Sequence, residues 1–459
     1  MTAAGFIAPA DAPALPLHCI ATADLPRWRD SQPAHVQRWL QAHTWKATPG
    51  SALVLPGADG EIAGALLGIG DPLDPFSYAH APTALPEAAW QLQDLSNEHR
   101  DAALLGWGLG SHRYTRYRQA SRAPALLSMT SDPGDGDVFA QIEACLRVRE
   151  LVNTPSEALG PADLESSVCE LAQRHGAQVE AVVGDDLLAQ NFPAIHAVGR
   201  ASHRAPRLLT LRWGDASHPH LALVGKGVCF DTGGLNLKLT DGMRWMKKDM
   251  GGAAHALALA GLVMARDLPV RLTLVIAAVD NALGPDAYRP GDVVATRKGL
   301  HVEIDNTDAE GRVILGDALA FAGEQSPELL IDFATLTGAA RIALGPDLPA
   351  LYANDDALAQ AWLQAGMQQR DPLWRLPLWR PYLRYLTSGI ADLANSGPSK
   401  MAGSLTAALY LERFVPAGMP WAHLDVYSWN DADRPGKPAG GEAQGLRACW
   451  AMLKARYAG

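Results

Sequence analysis

The 459-residue sequence is short of cysteine, of basic charge and of long apolar runs, and each shortage removes a class of protein. Its five cysteines, Cys19, Cys145, Cys169, Cys229 and Cys449, are widely scattered, with no Cys-x-x-Cys pair and no even framework of the kind that staples secreted domains. A reducing, cytoplasmic setting is therefore expected. Lys and Arg number 39 against 49 Asp and Glu, a formal balance of -10. A generic phosphate-binding surface needs the opposite excess, so nucleic acid is not the default partner. A local basic strip such as Arg113, Arg116, Arg118 and Arg122 reads first as a solvated face. The longest apolar run, Ala256 to Ala265, falls well short of the roughly 20 residues that span a bilayer, so no membrane is expected. Met1 to Leu17 carries no basic segment ahead of an apolar one and does not read as a signal peptide.

What is present is ordinary globular material, 48% hydrophobic and 19% charged, and enough of it for two or three domains. The first third is rich in Ala, Pro and turn residues, with short apolar runs at Ser51 to Leu55 and Ala102 to Gly106, and holds no catalytic constellation. A breaker cluster at Thr130 to Asp137 is the expected linker. The expected organisation is an amino-terminal domain over 1–137, a helical linker over 138–170 and a catalytic domain over 171–459. Apolar residues at helical spacing (Phe139, Ile142, Leu146, Val148, Leu151) predict a helix after the cluster, and another follows Pro161. From Arg207 onward, strand-like runs at Leu208–Leu211, Leu221–Val224, Leu272–Val279, Leu329–Phe333 and His423–Val426 alternate with helical stretches, notably Gly251–Ala265 and Val313–Ala322. This pattern predicts an α/β fold with a mixed, largely parallel sheet covered by helices on both faces, and active sites of such sheets gather at the carboxyl ends of strands.

Two clusters carry chemistry. Asn306-Thr-Asp-Ala-Glu-Gly-Arg312 places Asp308 and Glu310 two residues apart beside Arg312, between an alternating strand (Leu300, Val302, Ile304) and a helix opening near Val313. Alone, it also reads as a capped acidic turn paired with an arginine. The second cluster follows a buried-looking strand and contains Lys226, Asp231, Gly233, Gly234, Lys238 and, before an apolar helix, Asp249, Gly251 and Gly252; its glycines permit tight turns and close backbone approach. On the expectation that both clusters hang from strand ends of one sheet, four carboxylates and two lysines meet. Without metal that gathering costs several kcal/mol of repulsion and desolvation, whereas two divalent cations sharing carboxylates turn the cost into coordination. Lys226 is an unusual but plausible ligand as the neutral amine. No His-Glu-x-x-His stretch occurs, which argues against a histidine-rich site. Asp231-Thr-Gly233 matches the aspartic protease triplet, but no second triplet completes a dyad, and a two-metal phosphoesterase commonly adds histidines absent here.

These residues resemble the leucine aminopeptidase, or cytosol aminopeptidase, family. Asn306 to Arg312 reproduces its signature without change, and Val224–Ala254, Arg289–Val294, Ala334–Ala339, Val152–Pro155 and Trp421–Asp425 support the match, which runs from about Arg149 to the end. The resemblance implies a metal-dependent leucyl aminopeptidase with two divalent ions per subunit, Zn or Mn. In it Asp231 and Glu310 would bridge the metals, Lys226 and Asp249 would complete one coordination shell, and Asp308 the other. Lys238 would stabilise the oxyanion, and Arg312 would hold a bicarbonate ion as general base. Met246, Thr335, Leu336 and Gly338 would line an apolar pocket for the first side chain, Gly311 would let the chain turn tightly, and the amino-terminal domain would be a smaller α/β unit. Short peptides are the implied substrates and a homohexamer the implied assembly. The alternative in a different class is a DNA-binding architectural protein, which some members of this family also are. Departures from the family pattern are Leu239 after Lys238 and the basic approach to Asp249 through Arg244, Lys247 and Lys248, and they bear on substrate preference.

Overall fold

A computed structural model of the chain describes residues 5–57, 59–93, 95–130, 135–399 and 401–458. The chain divides into two compact units, Met1–Leu146 with Asn430–Ala439, and Arg147–Trp429 with Gly440–Gly459. Residues 131–134 of the expected linker lie outside the described residues, and the division falls within the helix Gly136–Asn153.

The first unit is built on a six-stranded sheet in the order Phe6–Ile7, Leu126–Ser128, Ala89–Gln93, Ala14–Ala21, Ile62–Ile69 and Ala52–Pro56, parallel except for the last pair. Of the two apolar runs in this region, Ser51–Leu55 is mostly strand, while Ala102–Gly106 lies in the helix Asn97–Ser111. Leu17, Ala65, Leu66, Leu67 and Trp90 close its core.

The second unit carries all five strand-like runs of the sequence. Its eight-stranded sheet runs Trp374–Arg375, Ala350–Ala353, Trp421–Asp425, Leu329–Ala334, His220–Asp231, Arg271–Asn281, Arg207–Trp213 and Gln178–Val183. The four strands from Trp421–Asp425 to Arg271–Asn281 are mutually parallel, and antiparallel pairings flank them on either side. The central strands are buried almost throughout, which is why they read as continuous apolar runs rather than alternating ones. The helices Gly251–Ala265 and Glu310–Glu324 are buried along nearly their whole lengths, as helices apolar all round must be. Among the described residues no helix is long and apolar enough to cross a membrane.

One irregularity positions the chemistry. Lys226 and Asp231 stand five residues apart on His220–Asp231, and strict alternation would send them to opposite faces of the sheet. The neighbouring strand pairs Lys226 with Ala277 and Val228 with Val279, but then Phe230 with Asp280 and Asp231 with Asn281, leaving Cys229 as an extra residue. This bulge flips the alternation, so Lys226, Asp231 and Asn281 share one face.

The sheet expectation needs one correction. Only His301–Glu303 of the alternating stretch is strand, and it belongs to a separate three-stranded sheet with Val293–Ala295 and Leu393–Ala394, not to the eight-stranded one. Val302 is buried while His301 is exposed, the pattern of a strand covered on one face, and that distinction from the continuous central runs was already visible in the alternation. The following helix opens at Glu310, three residues earlier than the apolar pattern indicates, because a polar first turn carries no apolar periodicity.

Candidate metal centre

Four segments converge at the carboxyl end of the central strands. His220–Asp231 supplies Lys226 and Asp231; the short turn Met246–Met250 supplies Asp249; the turn Thr307–Ala309 supplies Asp308; and the helix beginning at Glu310 supplies Glu310 and Arg312. Carboxylate oxygens of Asp231, Asp308 and Glu310 lie within 4.8 Å of one another. Lys226 Nζ stands 2.8 Å from Asp249 Oδ2 and 3.1 Å from Glu310 Oε1, and Lys238 Nζ 2.7 Å from Asp231 Oδ2 and 2.5 Å from Asp308 Oδ1. All five proposed ligands and Lys238 are therefore in one place. Glu310, Asp231, Asp249 and Lys226 are at most 3% exposed, whereas the Asp308 side chain is 32% exposed, so the cluster opens to solvent on the side of Asp308.

Burial and mutual repulsion dominate the electrostatics. Burial, then the neighbouring Asp231 carboxylate, raises Glu310 to about 8, and burial with Asp249 raises Asp231 to about 6. Burial alone would depress the two ammonium groups, but the surrounding carboxylates outweigh it and drive Lys226 and Lys238 upward.

This donor set fits divalent cations. Glu310 Oε2 is buried with no hydrogen-bond partner among the described residues, and Asp249 Oδ2 and Asp308 Oδ1 meet lysine nitrogens at ion-pair distance without hydrogen-bond geometry. Buried carboxylate oxygens left in this condition are costly unless charge of higher valence meets them, and an oxygen-rich cluster suits hard or borderline divalent ions.

Sequence reasoning missed the residues that brace the cluster. Asn281 Nδ2 donates to Asp231 Oδ1 at 2.8 Å and to Thr307 O at 3.0 Å, and Tyr288 donates to the same carbonyl at 2.7 Å. Thr307 Oγ1 donates to Gly233 O at 2.6 Å, where Gly233 and Gly234 adopt the positive φ that the tight turn after Asp231 requires. Asn395 accepts from the amides of Asp305 and Asn306 and donates to Asn306 O at 2.7 Å. Asn281 ends a buried strand, so the strand-end rule was signal enough to find it; Asn395 has no such signal.

Arg312 is 9% exposed; its Nη1 donates to Asn395 O at 2.8 Å and its Nε has no hydrogen-bond partner among the described residues. Thr335 Oγ1 lies 2.9 Å from both Oδ1 and O of Asp249, and Thr335 O accepts from Lys226 Nζ at 2.8 Å, so this residue, expected to line the pocket, adjoins the cluster directly. The Leu336 amide is held by Asp425 Oδ1 at 2.9 Å, Gly338 opens the helix Gly338–Leu344, and half-buried Met246 begins the turn that carries Asp249. Gly311 departs from its expected role. It sits inside the helix without positive φ, and what it provides is room: a β-carbon there would stand 2.6 Å from Lys226 Cε.

The pattern of the cytosol aminopeptidase family, catalytic domain, matches residues 147–450, and that of the M17 aminopeptidase N-terminal domain matches 15–130. A probable cytosol aminopeptidase of Syntrophotalea carbinolica is 40% identical over 364 residues, 75% of this chain and 73% of that protein. The crystal structure of a cytosol aminopeptidase from Coxiella burnetii superposes with a TM-score of 0.94 at 47% identity, covering 97% of each chain. The bottromycin maturation enzyme BotP, solved in complex with Mn, superposes at 0.87 with 32% identity over 97% of this chain and 100% of its own.

Proposed function

The chain belongs to the cytosol aminopeptidase family and is a metal-dependent aminopeptidase, a hydrolase, and from that premise we propose that it removes the first residue, by preference leucine or another apolar one, from short peptides. The observation that carries this reading is the convergence of Asp231, Asp249, Asp308 and Glu310 with Lys226 in a cluster buried except on the side of Asp308, with an orphaned carboxylate oxygen on Glu310.

In this reading Asp231, Glu310, Lys226, Asp249 and Asp308 would hold two divalent ions, Zn or Mn, with Asp231 and Glu310 serving both, Lys226 and Asp249 one, and Asp308 the other. When bound, the ions supply a water acidic enough to attack a peptide carbonyl near neutral pH. Lys238 is the chain's electrophile: its ammonium reaches the open, Asp308 side of the cluster, suited to hydrogen-bond the oxygen on which charge develops. Arg312 presents a buried guanidinium edge with an unused Nε, suited to an oxyanion such as bicarbonate that accepts a proton when bound. Asn281 fixes Asp231, and Thr335 fixes Asp249, so the donors are held before substrate arrives. Met246, Thr335, Leu336 and Gly338 face the first side chain. Cytoplasmic residence and a homohexamer complete the proposal; sedimentation showing only monomers would remove the last part.

An exopeptidase of this kind requires a free α-amine. Leucine p-nitroanilide is expected to be cleaved and its N-acetyl derivative not. Equal turnover of the two would contradict the aminopeptidase reading.

A further inference from the structure

Lys248 immediately precedes Asp249 and is only 8% exposed, and its ammonium makes no hydrogen bond or ion pair among the described residues. A buried ammonium is ordinarily paired, because desolvation without a counter-charge costs several kcal/mol. Its Nζ instead stands 4.9 Å from the centroid of the Tyr427 ring, and the guanidinium of Arg341 stands 4.7 Å from the same centroid. Arg341 also has no carboxylate partner among the described residues. An aromatic face offers each cation about 0.5–2 kcal/mol but neutralises neither.

The chain's own carboxylates nearby are already engaged. Asp249 meets Lys226 Nζ at 2.8 Å and Thr335 Oγ1 at 2.9 Å. Asp425 accepts from the amides of Leu336 and Thr337 at 2.9 and 3.2 Å and from Thr337 Oγ1 at 2.7 Å. Two cations thus gather at one ring; Asp249 and Asp425 attract Lys248 from a distance, but among the described residues no carboxylate stands at ion-pair distance from either cation.

The place is as informative as the charge. Lys248 shares its turn with Met246 and Asp249, and Arg341 stands in the helix that Gly338 opens. Tyr427 is followed by Ser428, which packs where Gly251 meets Thr335: a β-carbon on Gly251 would stand 2.7 Å from Ser428 Cβ and 2.9 Å from Thr335 Cγ2. The cation pair therefore stands on the two segments proposed to carry the pocket for the first residue of a peptide.

The geometry points to a carboxylate-binding subsite made by Lys248 and Arg341 on Tyr427, which selects peptides carrying a carboxylate close to the scissile bond. This rests on the aminopeptidase reading: a terminal carboxylate would narrow its apolar preference to dipeptides, whereas an acidic first side chain would replace that preference. The carboxylate has two possible sources, an acidic first side chain or the terminal carboxylate of a dipeptide, and one chemistry serves both. Neutral leucine p-nitroanilide remains a substrate but an inferior one.

Two pairs of uncleavable ligands test it by calorimetric binding to the metal-loaded protein. Glutamate against glutamine probes the side chain, and the reduced-bond dipeptide Leuψ(CH2NH)Gly against its carboxamide probes the terminus. In at least one pair the carboxylate member should bind about tenfold or more tightly, the worth of a charge-assisted hydrogen bond, and the pair that discriminates identifies the source. Lys248→Met and Arg341→Met should each bring that ratio towards one, while Lys248→Arg keeps it. Arg341 is exposed, so its variant reports even where Lys248→Met does not fold. No discrimination in either pair, or discrimination that survives Arg341→Met, overturns the subsite. Because these arms need no turnover, a failure here is distinct from a failure to cleave leucine p-nitroanilide.

Discussion

Gly311 lies against Lys226 so closely that a β-carbon on the glycine would stand 2.6 Å from Lys226 Cε and 2.8 Å from Nζ. The helix beginning at Glu310 can approach the strand His220–Asp231 only because this position has no side chain. Gly311→Ala is expected to push Lys226 away from Asp249 and Glu310, at an overpacking cost of about 1–3 kcal/mol. Metal affinity and kcat/KM should fall by about tenfold or more, in line with the cost of disturbing a metal's supports. Calorimetric Mn titration and peptide turnover check it; wild-type values for both would show that Lys226 has room to spare.

Asn281 tests the bracing. Its amide nitrogen is shared by Asp231 Oδ1 and Thr307 O, which ties the two clusters together. Asn281→Ala should reduce metal affinity by about 10–100-fold. Asn281→Asp should do worse, since it replaces a donor with a further negative charge beside Asp231. An alanine variant with normal metal affinity would reduce Asn281 to a packing role.

Chelation should reveal the raised carboxyls. In the metal-free cluster Glu310 is lifted to about 8 from an ordinary value of 4.5, by burial first and Asp231 second. Between those values the folded chain keeps a proton that the unfolded chain releases, so stability falls as pH rises from about 4.5 to 8. The thermal midpoint of chelated protein should decline over that window, and bound metal should remove the decline by replacing the proton. Parallel pH curves with and without chelator would contradict this.

His255 should act in the opposite sense. It is fully buried, with Nδ1 2.7 Å from Gly251 O and Nε2 accepting from the Gln444 amide at 2.9 Å, an arrangement that holds the neutral ring with its proton on Nδ1. Burial lowers it to about 4 from 6.5. Stability from this group is complete above pH 6.5 and is lost as pH falls towards 4, by at most about 3 kcal/mol. His255→Leu should flatten that acid limb of the urea midpoint. It should also destabilise the protein at pH 8 by about 1–3 kcal/mol for each polar group left unpaired. An unchanged acid limb would place the titration elsewhere.

Sequence pattern carried further for the core than for the frame of the site. Buried parallel strands such as Leu272–Val279 and helices such as Gly251–Ala265 were legible because burial on all sides forces unbroken apolar runs. The six residues Lys226, Asp231, Lys238, Asp249, Asp308 and Glu310 were legible because charge crowded beside glycine-rich turns is costly to fold around unless a cation is bound there. The bulge at Cys229 was not, since nothing in Val228-Cys-Phe230 distinguishes a residue that is skipped in pairing from one that is paired. Nor were Asn395, whose amide reaches back over more than eighty residues, or the inclusion of Asn430–Ala439 in the first unit, which depend on where distant segments come together. The roles of Arg341 and Tyr427 were hidden for the same reason.

The central claim is that the carboxylate cluster works by holding metal. Its most direct test is leucine p-nitroanilide turnover by chelated protein as Mn or Zn is added back, with bound metal counted by mass spectrometry. Turnover should be absent after chelation and return to a plateau near two ions per chain, and Glu310→Gln should neither bind that complement nor recover. Hydrolysis that survives complete removal of metal, or metal-loaded protein that cleaves nothing, would contradict it.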